Sequence, residues 1–228
     1  IITGSRLEIP LSTTHCQVGA TVGVALLEDY KNFTGVNKKI IVKGVLGDIP
    51  ALNLKVPLNN LLIIYHETND KYVNYKKLSK FESFVIEKGQ RELIDQHFEL
   101  NYPEENFLES YRRYAKSLII INGTSGRDKK TGLLFEFILK NNPYELKDDF
   151  ISARLFYKKK PLKNQKVTIF SKKNQDKLQI FSLETDKTGT FEFRVEKGRD
   201  YLLDSVMIIP KKGDPKKDEP IWHSDWAS

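Results

Sequence analysis

Between Leu108 and Leu146 the chain passes from LESYRRYAKSLIIING, whose apolar residues recur at helical spacing, through the polar NGTSGRDKKTG, to the apolar run and turn LLFEFILKNNPYEL. A stretch as polar and glycine-rich as the middle part buries too little apolar surface to hold a structure of its own, so it predicts a link between two folding units. The chain then divides into an N-terminal β-sandwich over 1–121, carrying a helical segment at 77–121, a linker at 122–131, and a C-terminal unit over 132–228. A length of 228 residues suits two cores, since domains of about 100 residues are common.

The period of the apolar pattern supports that division. From Arg6 to Tyr75 the runs RLEIPL, ATVGVALL, KKIIVKGVL, ALNLKV, LLIIYHE and KYVNYK are short and punctuated by Gly, Pro, Asn and Asp, as in a sandwich or barrel, with a turn at Pro57-Leu58-Asn59-Asn60. Leu78, Phe81, Phe84 and Val85 then repeat at three and four residues, predicting a helix that Gly89 closes. Leu93, Ile94, His97 and Phe98 predict a second helix. Tyr102-Pro103-Glu104-Glu105 would open a third, with Phe107, Leu108, Tyr111, Tyr114, Ala115 and Leu118 on its apolar face. After the linker the period returns to two: LLFEFIL, FISARLFY, QKVTIFSK, LQIFSLET, GTFEFRVE, YLLDSVMII and the tail IWHSDWAS read as strands. Asp186-Lys187-Thr188-Gly189 has the residues of a type I turn, and Gly198 offers a positive φ.

Charge is uneven. Of the net +7, all but +1 falls after residue 150, where Lys158, Lys159 and Lys160, then Lys172 and Lys173, then Lys211, Lys212, Lys216 and Lys217 cluster at expected turns. These read first as solvated loop tips; gathered on one side they would attract an anionic surface. They lack the interleaved aromatic residues and recognition helix that would support nucleic-acid binding. Cys16 is the only cysteine, which excludes an internal disulfide and a thiolate metal cluster. No stretch approaches the roughly 20 apolar residues of a membrane helix, and the first ten residues, opening on Ile1, lack the pattern of a signal peptide.

The ordered series YRRYAKSLI, GLLFEFILKNNPYEL, KKKPLKNQKVTIF, TDKTGTFEFRVEKG, YLLDSV and a closing W-x-S-x-W-A-S, with KKLSKFESFVIEKG upstream, resembles a bacterial periplasmic family of unknown function once labelled a nickel-uptake or cobalt-transport component. The similarity runs over most of the chain from Leu52. It implies a secreted two-domain β protein whose second domain is immunoglobulin-like or transthyretin-like, with a signal peptide removed and nickel or cobalt as the associated metal. The His-Glu-aromatic opening of many members does not appear in Ile1–Ser5.

Metal ligation would otherwise rest on His223 and Asp225, two alternate strand positions that face one side, and on Asp95 and His97. Two ligands apiece are too few for a tight site, and no HExxH or HxH spacing occurs. Nor is there a G-x-S-x-G or phosphate-loop motif, while Glu104/Glu105 and Asp148/Asp149 suit helix starts and turns, so no enzyme is expected. Tyr111, Arg112, Arg113, Tyr114 and Lys116 before the linker, Asn142, Pro143 and Tyr144 after it, and Trp222 and Trp226 in the tail are expected to fix the two units against each other, with one of the arginines bridging them. The sequence thus predicts a mainly β protein of two β-sandwich domains with a helical insert, working as a non-enzymatic, extracytoplasmic (periplasmic) binding or interaction protein whose partner is an envelope protein or assembly. A periplasmic nickel- or cobalt-binding component is the alternative.

Overall fold

The helical period at Leu78, Phe81 and Val85 becomes α1 (Leu78–Glu87), with those three side chains buried on one face. Its end is fixed by Gly89 at φ +76°, where the Gly89 N–H donates to Ile86 O (3.0 Å) and the Gln90 N–H to Val85 O (2.8 Å). That pair of bonds is a Schellman motif, which only a residue free to adopt positive φ closes cheaply. Helix α2 (Glu92–Glu99) follows, burying Leu93 and His97, whereas Phe98, expected on the same face, stays exposed. These elements belong to a computed structural model that describes residues 60–121, 123–174 and 176–228. The first four strand candidates, from Arg6 to Val56, and the turn opening at Pro57 lie outside the described residues.

The protein is mainly β. The remaining elements are β1 (Asn60–Glu67), β2 (Lys71–Tyr75), β3 (Phe107–Ile121), β4 (Phe135–Leu139), β5 (Phe150–Tyr157), β6 (Lys160–Pro161), β7 (Lys166–Lys172), β8 (Gln179–Glu184), β9 (Thr190–Arg194), β10 (Asp200–Pro210), a 3-10 turn at Pro215–Lys217 and β11 (Trp222–Ala227). One sheet of seven strands runs β1-β3-β11-β10-β7-β8, with β2 also paired to β3; a second of four strands runs β4-β5-β6, with β9 on β5. The seven predicted strands after residue 132 all form, and Gly189 donates to Asp186 O at 2.9 Å in the expected type I turn. Lys172, expected in a turn, instead ends β7 and is buried.

The third predicted helix does not form. Phe107–Ile121 is a fifteen-residue strand inside the large sheet, antiparallel to β1 and β2 on one side and parallel to β11 on the other. Glu109 and Ser110, then Arg113 and Tyr114, are buried as adjacent pairs. A strand covered on both faces loses the simple in-out alternation, and here polar side chains on both faces find partners in β2 and β11. Pro103 precedes the strand and does not open a helix: its carbonyl and that of Glu104 accept from the His97 ring and the Leu78 N–H, tying the turn to both helices.

Two cores flank the large sheet. Between the sheets, Tyr114, Phe135, Phe137, Leu155, Ile169 and Phe191 belong to one buried cluster. On the opposite face, α1 and α2 press Phe81, Val85 and Leu93 against Phe107, Val206 and Trp222. The alternation along β11 places Trp222, Ser224 and Trp226 toward the helices and His223, Asp225 and Ala227 toward the second sheet. The polar clusters on the two faces of β11, around Ser224 and around Asp225, hang on that alternation.

Candidate functional site

On the helical side, a shallow cleft of about 320 Å³ lies between β2, which pairs with β3 alone among the described residues, and the C-terminal half of α1. Val73 and Tyr75 supply one wall, Phe84 and Trp226 the other, and Glu109 and Arg113 lie along β3 between them. Phe84 and Trp226 stack with centroids 5.6 Å apart and an interplanar angle of 15°. The Arg113 guanidinium sits 4.5 Å from the Trp226 ring centroid and 5.4 Å from that of Tyr111, a cation–π column that holds a buried charge against apolar rings. Lys88 Nζ, 4.9 Å from the same indole, pairs with the buried Asp204 at 3.1 Å.

Glu109 forms the polar floor. Tyr75 Oη donates to one carboxylate oxygen at 2.8 Å, Ser224 Oγ donates to the other, and Trp226 Nε1 donates to Ser224 Oγ at 2.9 Å. Burial raises the Glu109 carboxyl above the ordinary range, opposed by its hydrogen bonds from Ser224 and Tyr75. Desolvation, reinforced by the neighbouring Glu109, likewise raises the Tyr75 hydroxyl. The floor is thus a buried carboxyl whose charge is disfavoured by burial and supported by two donated hydrogen bonds, set in an apolar, aromatic cleft. Lys71 at the start of β2, and Lys76 and Lys77 between β2 and α1, are exposed, and none of them has an ion-pair partner among the described residues.

On the other face, Lys211 Nζ donates to Ser110 Oγ (3.3 Å), Ser110 Oγ meets His223 Nδ1 (2.8 Å), and His223 Nε2 meets Asp225 Oδ1 (3.1 Å). Tyr114 and Tyr157 hydroxyls complete the chain on Asp225 at 3.2 and 2.8 Å. Burial alone would raise the Asp225 carboxyl, but hydrogen bonds from His223 and Tyr157 outweigh it and hold it below the usual carboxylate range. Serine, histidine and aspartate meet here, yet Ser110 is 0% exposed, so no substrate carbonyl reaches its oxygen. The chain clamps β3, β11 and β5 together.

Residues 11–208 match the profile of a family described as a domain of unknown function, DUF4198. The chain belongs to that family. The match includes α1, α2, β3 and most of β10 and ends before β11, so the DUF4198 region supplies Val73, Tyr75, Phe84 and Glu109 to the cleft while Trp226 lies beyond it. No curated protein and no solved structure matches the chain.

Within this DUF4198 chain the expected metal residues do not converge. His97 is buried: its Nδ1 accepts from Trp222 Nε1 at 3.1 Å, and its Nε2 faces Pro103 O at 3.1 Å, so both ring nitrogens are engaged. Asp95 is exposed on α2. His223 and Asp225 do share a face, as the strand spacing predicts, and bond to each other there. Among the described residues no three His, Cys, Asp or Glu gather as a metal cluster.

The residues expected to join the two units divide between several tasks. Arg112 reaches Asp70 (2.8 Å) and Glu67 (3.0 Å), clipping the corner between β1 and β2, while Arg113 is the arginine that meets the tail through Trp226. Tyr114 bonds Asp225, Tyr111 lies beside Arg113, and Trp222 is sealed between α1 and the sheet. Asn142 Nδ2 holds Thr124 O (2.6 Å) and Gly126 O (3.1 Å), Tyr144 Oη holds Leu118 O (2.9 Å), and Pro143 stands half-buried between them. Lys116 Nζ is paired with Asp128 and Glu136. Sequence reading missed Glu109, Ser110, Ser224, Asp128 and Glu136. For Ser110 the available signal was its place one strand away from a His-x-Asp pair; the charged residues carried none.

Proposed function

We propose that this chain is a non-enzymatic binding protein that takes an extended segment of a partner polypeptide along β2, seating one aromatic or aliphatic side chain in the cleft between Val73, Tyr75, Phe84 and Trp226. The observation that carries the reading is the aromatic cleft beside β2: among the described residues β2 pairs with β3 alone, so within them its other side is the place where an extended segment would add. Tyr72 is 61% exposed on that strand, and Lys71, Lys76 and Lys77 favour an acidic flank in the segment. The resemblance noted in the sequence supports an extracytoplasmic, periplasmic setting with an envelope protein or assembly as partner, and an immunoglobulin-like or transthyretin-like C-terminal sandwich within a two-domain chain.

Selection from a random peptide library against the intact chain tests this. Binders should converge on an apolar anchor in an extended, acidic segment, and lose affinity about tenfold or more with Tyr72→Ala or Lys71→Glu, both at exposed positions where folding is spared. Binders without a shared anchor, or insensitive to both changes, overturn the proposal. Nickel or cobalt handling, the other function implied by the resemblance, has only the His223–Asp225 pair to draw on among the described residues, and calorimetric titration with either ion decides it.

A further inference from the structure

Lys116, Asp128 and Glu136 form a cluster that neither the cleft nor the Asp225 chain uses. Lys116 lies on β3, Asp128 in the polar segment after it and Glu136 on β4; their side chains are 6%, 1% and 4% exposed. Lys116 Nζ stands 3.0 Å from Asp128 Oδ1, 3.7 Å from Glu136 Oε2 and 3.4 Å from Lys129 O. One ammonium faces two carboxylates in a site closed to water, an arrangement whose desolvation is costly for a purely structural ion pair.

The geometry points to a covalent outcome: we propose that Lys116 and Asp128 condense into an intramolecular isopeptide bond, with Glu136 as the proton carrier. Nζ attacks Asp128 Cγ, and the negative charge that develops on Oδ2 falls where the Leu139 N–H already donates at 2.8 Å, an oxyanion site built from backbone. Oδ1, held by the Lys129 N–H at 2.7 Å, is the leaving oxygen. Starting from ammonium and carboxylate, two protons pass from Nζ to Oδ1, which departs as water, and the third remains as the amide N–H. Glu136 takes each proton from Nζ and returns it to Oδ1, ending as it began. Its Oε2 is fixed for that task by the Thr131 N–H (3.0 Å) and hydroxyl (2.9 Å).

No oxidant or cofactor enters the balance. The driving features are proximity, which for reacting groups held in place is worth effective concentrations of about 10⁵ M or more, and the removal of two buried charges. The product ties the polar segment after β3 to that strand by a bond that neither heat nor reductant opens, and Glu136 remains beside the new amide.

Intact-mass measurement of the purified full chain reads the reaction directly. The wild type should weigh one water less than its sequence, and a protease digest should contain a branched peptide joining Lys116 to Asp128. Lys116→Arg and Glu136→Gln should restore the uncondensed mass in protein that retains its circular dichroism. The branched peptide is sought in the wild type, so a variant that fails to fold leaves the test standing. A folded wild type at full sequence mass overturns the proposal, as does a mass deficit that persists in Lys116→Arg.

Discussion

Trp222 Nε1 donates to His97 Nδ1 at 3.1 Å inside the core between the helices and the large sheet. An indole N–H only donates and a carbonyl only accepts, so the Trp222 and Pro103 contacts together fix His97 as the neutral ring with its proton on Nε2. The bond ties the last strand to α2, more than 120 residues earlier.

That tautomer makes stability depend on pH with a definite sign. Burial lowers the His97 pKa below its ordinary 6.5, against opposing contributions from the Pro103 carbonyl, Glu104 and Glu82. Well above pH 6.5 neither folded nor unfolded chain protonates this ring; as pH falls through 6.5 the unfolded chain takes up the proton first, so the contribution of His97 to stability falls with falling pH. His97→Gln, whose amide offers an acceptor to Trp222 and a donor to Pro103 without titrating, should lose less stability than the wild type between pH 7 and 5. Thermal melts of both proteins across that range check the difference.

Glu109 carries the opposite sign. Its folded pKa is raised by burial, so the fold prefers the protonated carboxyl, and stability is lost as pH rises from the unfolded value through the folded one. Glu109→Gln should therefore raise the melting temperature at neutral pH, with the gain vanishing in acid. Urea denaturation at pH 7 and pH 4 measures both limits.

Adjacent arginines should differ sharply. Arg112 pairs with Glu67 and Asp70 at a half-exposed corner, where such ion pairs are worth about 0–1 kcal/mol. Arg113 is buried and stacked on Trp226, so its loss removes packing as well as charge, and Arg113→Ala should cost about 2–3 kcal/mol. Chemical denaturation of the two alanine variants tests the order; an equal cost would mean that the Arg113–Trp226 column does not brace the tail.

The turn between β5 and β6 is strained by its own residues. Lys158 and Lys159 hold φ at +49° and +66°, the left-handed region that a two-residue hairpin turn requires and that Asn-Gly adopts far more readily. Replacing the pair by Lys158→Asn and Lys159→Gly should stabilise the chain by about 1 kcal/mol, seen as a higher melting temperature with no change in secondary structure.

How much of this was legible follows from which faces are covered. In β9, Phe191 and Phe193 are buried while Glu192 and Arg194 are exposed, so the period of two is plain in the sequence. The same holds for the helical period of Leu78, Phe81 and Val85. Strand β3 hides its nature because its polar residues are internal: Glu109 is matched by Tyr75 and Ser224, Ser110 by His223, and Lys116 by Asp128, none of them close in sequence. The apolar residues Phe107, Leu108, Tyr111, Tyr114, Ala115 and Leu118 recur at three and four and mimic a helix, and only the β-branched run Ile119–Ile121 and the aromatic residues hint otherwise. The cleft was illegible for a similar reason. Its walls come from β2, α1, β3 and β11, and only the last two had been marked by conspicuous residues.

Peptide binding in the cleft beside β2 is measured most directly by nuclear magnetic resonance of the labelled chain titrated with a library-selected peptide. Amide shifts concentrated on Lys71–Tyr75 and Tyr111–Arg113, with a shift of the Trp226 indole N–H and none of the Trp222 indole, are the predicted result. Shifts that spare β2 and Trp226 while the peptide binds would contradict it.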